Sequence, residues 1–377
     1  MDKRVYISAC PEYERESVKK SVRDILSAYG GAEAIASAGQ TVLIKANLLM
    51  NSRPEQAVTT HPLMVEAIAA EFIGIGCRVI IADSPGGPYN AATLKVVYRT
   101  CGMDEAAADS GAELNDNFES SEVAFPEGHI CKSFPIIDAV QQADVIISAA
   151  KLKTHGLAYM TAAVKNMFGA IPGLAKPAYH SKFPDRTRFN RMLVDVCECV
   201  KPAFSFIDGI VGMEGRGPSG GRPKKTGVII GAVNAHAADM AGCRIMGFKA
   251  EQVTTLTEAM ARGLIPHSFE ELEYMGDNIE SLITAYIPAI RATAVPIHYF
   301  PQFVQPLLTK LLVSYPVIED KCVGCGVCAT NCPEQIISIH DKRAHIDYEK
   351  CIKCYCCHEF CPVRAIGFKR FAPKGNK

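Results

Sequence analysis

The residues with the most telling spacing are cysteines near the C-terminus. Cys322, Cys325, Cys328 and Cys332 are separated by two, two and three residues, and Pro333 follows. Cys351, Cys354, Cys357 and Cys361 repeat the same run, followed by Pro362. A [4Fe–4S] cubane needs four thiolates around one small volume, and runs of this kind supply them. Three cysteines at two-residue intervals can wrap one cluster from a single loop. The fourth lies beyond that loop's reach and turns to the other cluster. The spacing therefore predicts two [4Fe–4S] clusters with crossed ligation. One takes Cys322, Cys325, Cys328 and Cys361; the other takes Cys351, Cys354, Cys357 and Cys332. Structural zinc is the rival for cysteine pairs, but it needs two pairs, not four cysteines ending in Cys-Pro twice over.

The surroundings agree with this chemistry. Gly324 and Gly326 suit a tight loop whose backbone N–H groups face cluster sulfurs. Ile336, Ile337, Ile339, Ile346, Ile352 and Ile366 offer a small core. Cys356 has no counterpart in the first run, where Val327 stands, and reads as a spare thiol. The remaining cysteines (Cys10, Cys77, Cys101, Cys131, Cys197, Cys199 and Cys243) are scattered and read as free thiols. Cys197 and Cys199, two apart on a helix, point to nearly opposite faces. With no export signal, a reducing cytoplasm is expected.

A second set of polar residues recurs across residues 1–290. Lys45 and Asn47 close one apolar run, and Thr59-Thr60-His61-Pro62 follows. Asp83 and Ser84 close another. Lys151, Lys153, Thr154 and His155 follow a third, then Lys165-Asn166 and Asp208-Gly209. Lysines and histidines together would make a cleft that favours anions, and Asp83 and Asp208 could move protons or offset the lysines. The candidate catalytic residues are Lys45, Asp83, Lys151 and Lys165.

The elements that must position them alternate. Strands are expected at 5–8, 41–46, 78–82, 144–149, 203–207 and 226–230. Helices are expected at 12–28, 63–73 and 91–98, with Pro62 opening the second. Such alternation predicts an α/β fold, a mostly parallel sheet flanked by helices, with sites at strand ends. The expected organisation is an α/β substrate- or partner-binding domain over 1–294 and a helical linker over 295–316. A small α+β two-cluster domain follows over 317–370, then a tail over 371–377. The apolar stretch 303–313, interrupted by Lys310, reads as a helix docking one domain on the other.

Composition excludes several classes. Lys plus Arg and Asp plus Glu are 40 each, so nothing favours nucleic acid or an anionic membrane. No stretch is apolar enough to span a bilayer. Gly215-x-Gly217-x-x-Gly220 matches a dinucleotide fingerprint, but Pro218 and Pro223 deny it the helix that must follow. A glycine-rich loop, acting as a lid, is the expectation there.

Taken in order, Lys45-Ala46-Asn47, Thr59 to Pro62, Asp83-Ser84, Lys151 to His155, Lys165 to Gly169, and Asp208-Gly209 through Glu214 to Pro218 resemble the family called domain of unknown function 362. The resemblance covers about residues 1–260. The cysteine runs resemble the bacterial two-cluster ferredoxin over 317–370. Together they imply an iron–sulfur protein and no general activity. Two readings follow. In one, the clusters exchange electrons with a ferredoxin or a reductase, and the α/β domain reduces an anionic organic substrate. In the other, the chain is an electron carrier or accessory protein whose α/β domain docks a redox partner. A polar pocket distinguishes the first and an exposed apolar patch the second.

Overall fold

The computed structural model describes residues 1–289, 314–369 and 371. The docking helix expected over 303–313, and most of the expected linker, lie outside the described residues.

Apolar runs buried on both faces build the central sheet, as parallel strands require. Its strands are β1 (Arg4–Ala9), β2 (Thr41–Ala46), β3 (Arg78–Ala82) and β4 (Glu113–Leu114). Strands β5 (Ser120–Ala124) and β6 (Ser133–Ile137) form a separate hairpin. The large sheet continues with β7 (Val145–His155), β8 (Tyr159–Thr161), β9 (Phe204–Glu214), β10 (Arg222–Ala232) and β11 (Glu273–Gly276). The order is β11-β1-β10-β9-β7-β2-β3-β4, with β8 on the end of β7. Pairing is parallel from β9 through β7, β2 and β3 to β4. Strand β10 runs antiparallel between β1 and β9.

Helices cover both faces. Arg15–Ser27 shows why: Val18, Val22, Ile25 and Leu26 form one buried stripe, and Glu14 caps its first turn. It joins Pro62–Gly74, Ala91–Thr100 and Met103–Ser110 on one side. Arg186–Val200, Ala235–Ile245 and Thr254–Ala261 cover the other. Pro62 opens its helix as the sequence indicates. Among the described residues no helix is long and apolar enough to cross a membrane.

Several strands are longer than their apolar runs indicate. Strands β7 and β9, expected to stop at Ala149 and Ile207, continue side by side to His155 and Glu214, with Lys151 opposite Asp208. The charges pair across the ladder, so polarity does not end the strand. Lys151, Lys153, His155 and Asp208 therefore belong to strands, not to the loops beyond them.

The C-terminal module is small and repeats itself. Strand β12 (Tyr315–Ile318) pairs β15 (Ile366–Lys369), and β13 (Ile337–His340) pairs β14 (Arg343–Ile346). Short helices Val327–Thr330 and Cys356–Glu359 carry Cys328 and Cys357, and the other cysteines of the two runs lie in the loops beside them. Tyr315 and Pro316, within the segment expected as linker, already belong to the module's first strand. Ile337 and Ile366 are buried and Ile336, Ile339 and Ile346 pack against them.

The module is seated on the large domain. The glycine-rich loop forms part of that seat. Ser219 Oγ donates to the carbonyl of Glu359 at 2.7 Å, His358 Nε2 lies 2.9 Å from the carbonyl of Arg216, and Arg216 pairs with Glu319 at 2.6 Å. The loop runs from Gly215 into β10 without a helix, so it has no site for a pyrophosphate. The expectation of a lid gives way to that of an interface.

Candidate functional site

Each set of four cysteines surrounds its own hollow. One hollow, about 310 Å³, is lined by Cys322, Cys325, Cys328 and Cys361, with Ile339 and Ile366. The other, about 330 Å³, is lined by Cys332, Cys351, Cys354 and Cys357, with Ile336 and Ile352. The structure brings each group of four expected from the spacing to one hollow. Gly324 and Gly326 adopt positive φ (64° and 79°), which lets the first loop turn tightly. The N–H groups of Ala344 and Ala365 donate to Cys322 Sγ at 3.5 Å and Cys361 Sγ at 3.1 Å. Burial, then the neighbouring cysteines, push the Cys328 thiol up to about 11. Burial raises the Cys361 thiol as well. A cationic centre that ionises all four, in an apolar hollow with N–H donors aimed at sulfur, fits this donor set. Cys356 lines neither hollow; it is buried beside Cys354, to which it hydrogen-bonds.

A polar pocket of about 450 Å³ lies where the module meets the strand ends of the large domain. Asn47 follows β2, and Asp83 and Ser84 follow β3. Lys165 and Asn166 come from the short helix Ala163–Asn166. Lys176 and His180 project from helix Lys176–Lys182, four residues apart and so on one face. The module contributes Glu359 and Phe360. These two residues stand between Cys357, which lines one cysteine hollow, and Cys361, which lines the other.

The expected site residues divide. Asp83 and Lys165 line the pocket. Lys45 lies just beneath it, fully buried, 2.7 Å from Asp83 Oδ1 and donating to the Ala46 carbonyl and to Asn166 Oδ1. Burial lowers its pKa, with Asp83 opposing. Gly169 covers this pair so closely that a Cβ there would lie 2.2 Å from Asp83 Oδ1. Lys151 is elsewhere: it pairs with Asp208 at 2.9 Å and donates to Tyr13 Oη, whose ring stacks on His61. That network ties β7 and β9 to the segment before the first helix and to the start of helix Pro62–Gly74, and it does not line the pocket. Lys153 donates to Asn47 Oδ1 at 2.7 Å, which positions a pocket wall.

His155 reaches the module instead. Its Nδ1 accepts from the N–H groups of Leu157 and Ala158, so Nε2 carries the proton in the neutral ring and faces Glu359 Oε1 at 2.9 Å. Glu359 is held well below the usual carboxylate range by His155, Lys165 and His180, against its burial. Lys176, His180, Glu359 and Phe360 were not among the expected site residues. The Lys176/His180 spacing was the available signal; nothing local marks Glu359.

Two consequences can be measured. A Cβ at Gly86 would lie 1.9 Å from Phe360 Cε1, so Gly86→Val should lift the module from its seat. Hydrogen exchange over 215–221 and 354–361 should rise about tenfold or more, a protection loss of about 1.4 kcal/mol. Burial depresses His61, His155 and His180 to about 4 each. The unfolded chain then binds protons between about pH 6.5 and 4 that the folded chain does not. Stability should fall steadily through that window on acidification, read as the urea midpoint by tyrosine fluorescence.

Residues 42–244 match the domain of unknown function DUF362, and residues 321–365 match the 4Fe-4S dicluster domain. A thylakoid-associated protein of Synechocystis sp. is 30% identical over 278 residues, which is 72% of this chain and 83% of that protein. Among solved structures, the lactate racemase apoprotein from Thermoanaerobacterium thermosaccharolyticum aligns with a TM-score of 0.41 at 15% identity, covering 65% of this chain and 57% of that one. A protein from Thermotoga maritima aligns at 0.38 and 11% identity, covering 62% and 59%. This chain spans less than two thirds of either solved structure.

Proposed function

The chain belongs to the DUF362 family and carries a 4Fe-4S dicluster domain, and from that premise we propose that it is an iron–sulfur oxidoreductase. The two cysteine sets hold one [4Fe–4S] cluster each, and the pocket takes a small anionic organic molecule that is reduced there. When bound, such clusters supply electrons one at a time. The chain's own residues do the rest. Lys165 attracts the anion, and Lys176, Asn47 and Ser84 offer it hydrogen bonds. Asp83 keeps Lys45 charged beneath the floor. Glu359 and Phe360 close the pocket on the module side and exclude water from it.

One observation carries this reading. The polar pocket is walled jointly by the strand-end residues and by the residues between Cys357 and Cys361. A docking domain in a simple carrier has no need of such a pocket. The electron donor is a ferredoxin or a similar reductase, and the reducing cytoplasm is the compartment that suits so many free thiols. The thylakoid association of the Synechocystis relative makes cell fractionation a direct check of that placement.

The test is to purify the protein without oxygen, reduce it with dithionite, remove the excess, and follow reoxidation optically with a panel of small organic acids. At least one acid should reoxidise the wild type. Lys165→Ala should lower kcat/KM for that acid by roughly thirtyfold, about 2 kcal/mol for one lost charged hydrogen bond. If no acid reoxidises the protein faster than buffer while an oxidised ferredoxin does, the carrier reading replaces this one.

A further inference from the structure

We propose that Lys176 is the proton carrier of the pocket: an anion entering beside Lys165 draws a proton from solvent onto Lys176 Nζ, so the bound state holds one more ammonium than the free state. The inference rests on the anion pocket proposed above.

The geometry comes first. Lys176 is buried, and its ammonium donates to the carbonyl oxygen of Ser84. Each charge near it has another partner. Asp83, on the loop after β3, is engaged by Lys45 at 2.7 Å and accepts from the Leu48 N–H at 2.5 Å. Glu359, on the module helix, faces His155 at 2.9 Å and is also within the field of Lys165 and His180. Lys165 stands over the Phe168 ring at 5.7 Å. His180, one turn beyond Lys176 on the same helix, stacks on Phe189, and its Nδ1 has no partner. The Ser84 hydroxyl is likewise unpartnered and buried. Two polar side chains thus await a hydrogen-bonding guest.

The charges explain the proton. Asp83 answers Lys45, and Glu359 offsets Lys165. A third ammonium in this volume has no anion of its own. Burial accordingly lowers the Lys176 pKa to about 7; Asp83 and Glu359 oppose the shift, and Lys45 and Lys165 add to it. A carboxylate guest supplies the missing negative charge and raises that pKa again, because an opposite charge at contact favours the charged form. Proton uptake must then accompany binding wherever the free amine is mostly neutral. The same depression makes the folded state bind fewer protons than the unfolded state between about pH 7 and 10.4, so stability rises with pH across that window.

The experiment is isothermal titration of the whole chain with oxalate at pH 8, in buffers of different ionisation enthalpy. Uptake of roughly 0.9 proton per oxalate is expected at pH 8, falling toward about 0.1 at pH 6. In Lys176→Arg, whose side chain stays charged, oxalate should bind with no net uptake. Trace acylation of the wild type with acetic anhydride, read by peptide mass spectrometry, supplies a measure that needs no variant. Lys176 should reach half its maximal reactivity near pH 7, whereas an ordinary lysine does so near about 10.4. Oxalate should slow it. Oxalate binding without uptake, or uptake unchanged in Lys176→Arg, overturns the inference and leaves the anion pocket standing. Absence of binding together with unprotected Lys176 overturns both.

Discussion

Replacing Cys361 by serine is expected to disable the site formed by Cys322, Cys325 and Cys328, not the site of its own run. The cysteine groups cross in the structure, since Cys361 lines the hollow of the first three cysteines and Cys332 that of the last three. With two clusters bound, iron in anaerobically prepared protein should fall from about eight to about four per chain. The EPR spectrum after dithionite should lose the interaction between two reduced centres. Cys332→Ser should give the complementary single signal. The double variant Cys332→Ser/Cys361→Ser should retain little iron, and no electron transfer should survive in it. If Cys361→Ser instead removed the same signal as Cys357→Ser, the crossed arrangement would be wrong.

Asp83→Asn should destabilise the large domain by about 3–5 kcal/mol, the typical result of leaving a buried charge without its partner. Lys45 keeps its ammonium at the pocket floor with no opposing charge, and the Leu48 N–H exchanges a carboxylate acceptor for an amide. The pH dependence has a definite sign. Burial lowers the Lys45 pKa from its ordinary value, and loss of Asp83 lowers it further. The folded variant therefore releases the Lys45 proton at lower pH than the unfolded chain, and its stability rises with pH over that interval. The deficit relative to the wild type should shrink as the pH is raised, followed by urea denaturation. Lys45→Met combined with Asp83→Leu should recover a large part of the loss, because a buried ion pair can be replaced by apolar groups of similar volume. A single-variant loss below about 1 kcal/mol would mean that water reaches the pair. In that case Lys45 belongs to the pocket surface instead of its floor.

The cysteine chemistry was legible in the sequence because it is local. Three cysteines of each group lie within one short loop, so spacing alone fixes which thiols can meet, and the repeat of the run supplies the fourth by symmetry. The α/β alternation was legible for a similar reason, since each apolar run and each helical stripe is written within a few turns of chain. Strand ends were not. Residues Lys151 to His155 look like a loop until Asp208 and the β8 hairpin are placed beside them, and that partner lies far along the chain. The pocket is a still longer-range fact. Lys45 and Lys151 have the same kind of sequence context, yet one lies under the pocket with Asp83 and the other is engaged by Asp208 and Tyr13. Glu359 carries no local mark of a pocket residue. It becomes one because Gly86 and the loop at Gly215–Gly221 let the module come close enough to place it against His155. The cysteine runs and the alternation of elements follow from short spacings, which the chain order contains. Which charges meet is set by the fold, because ion pairing across a sheet and between two domains depends on distances the chain order does not contain.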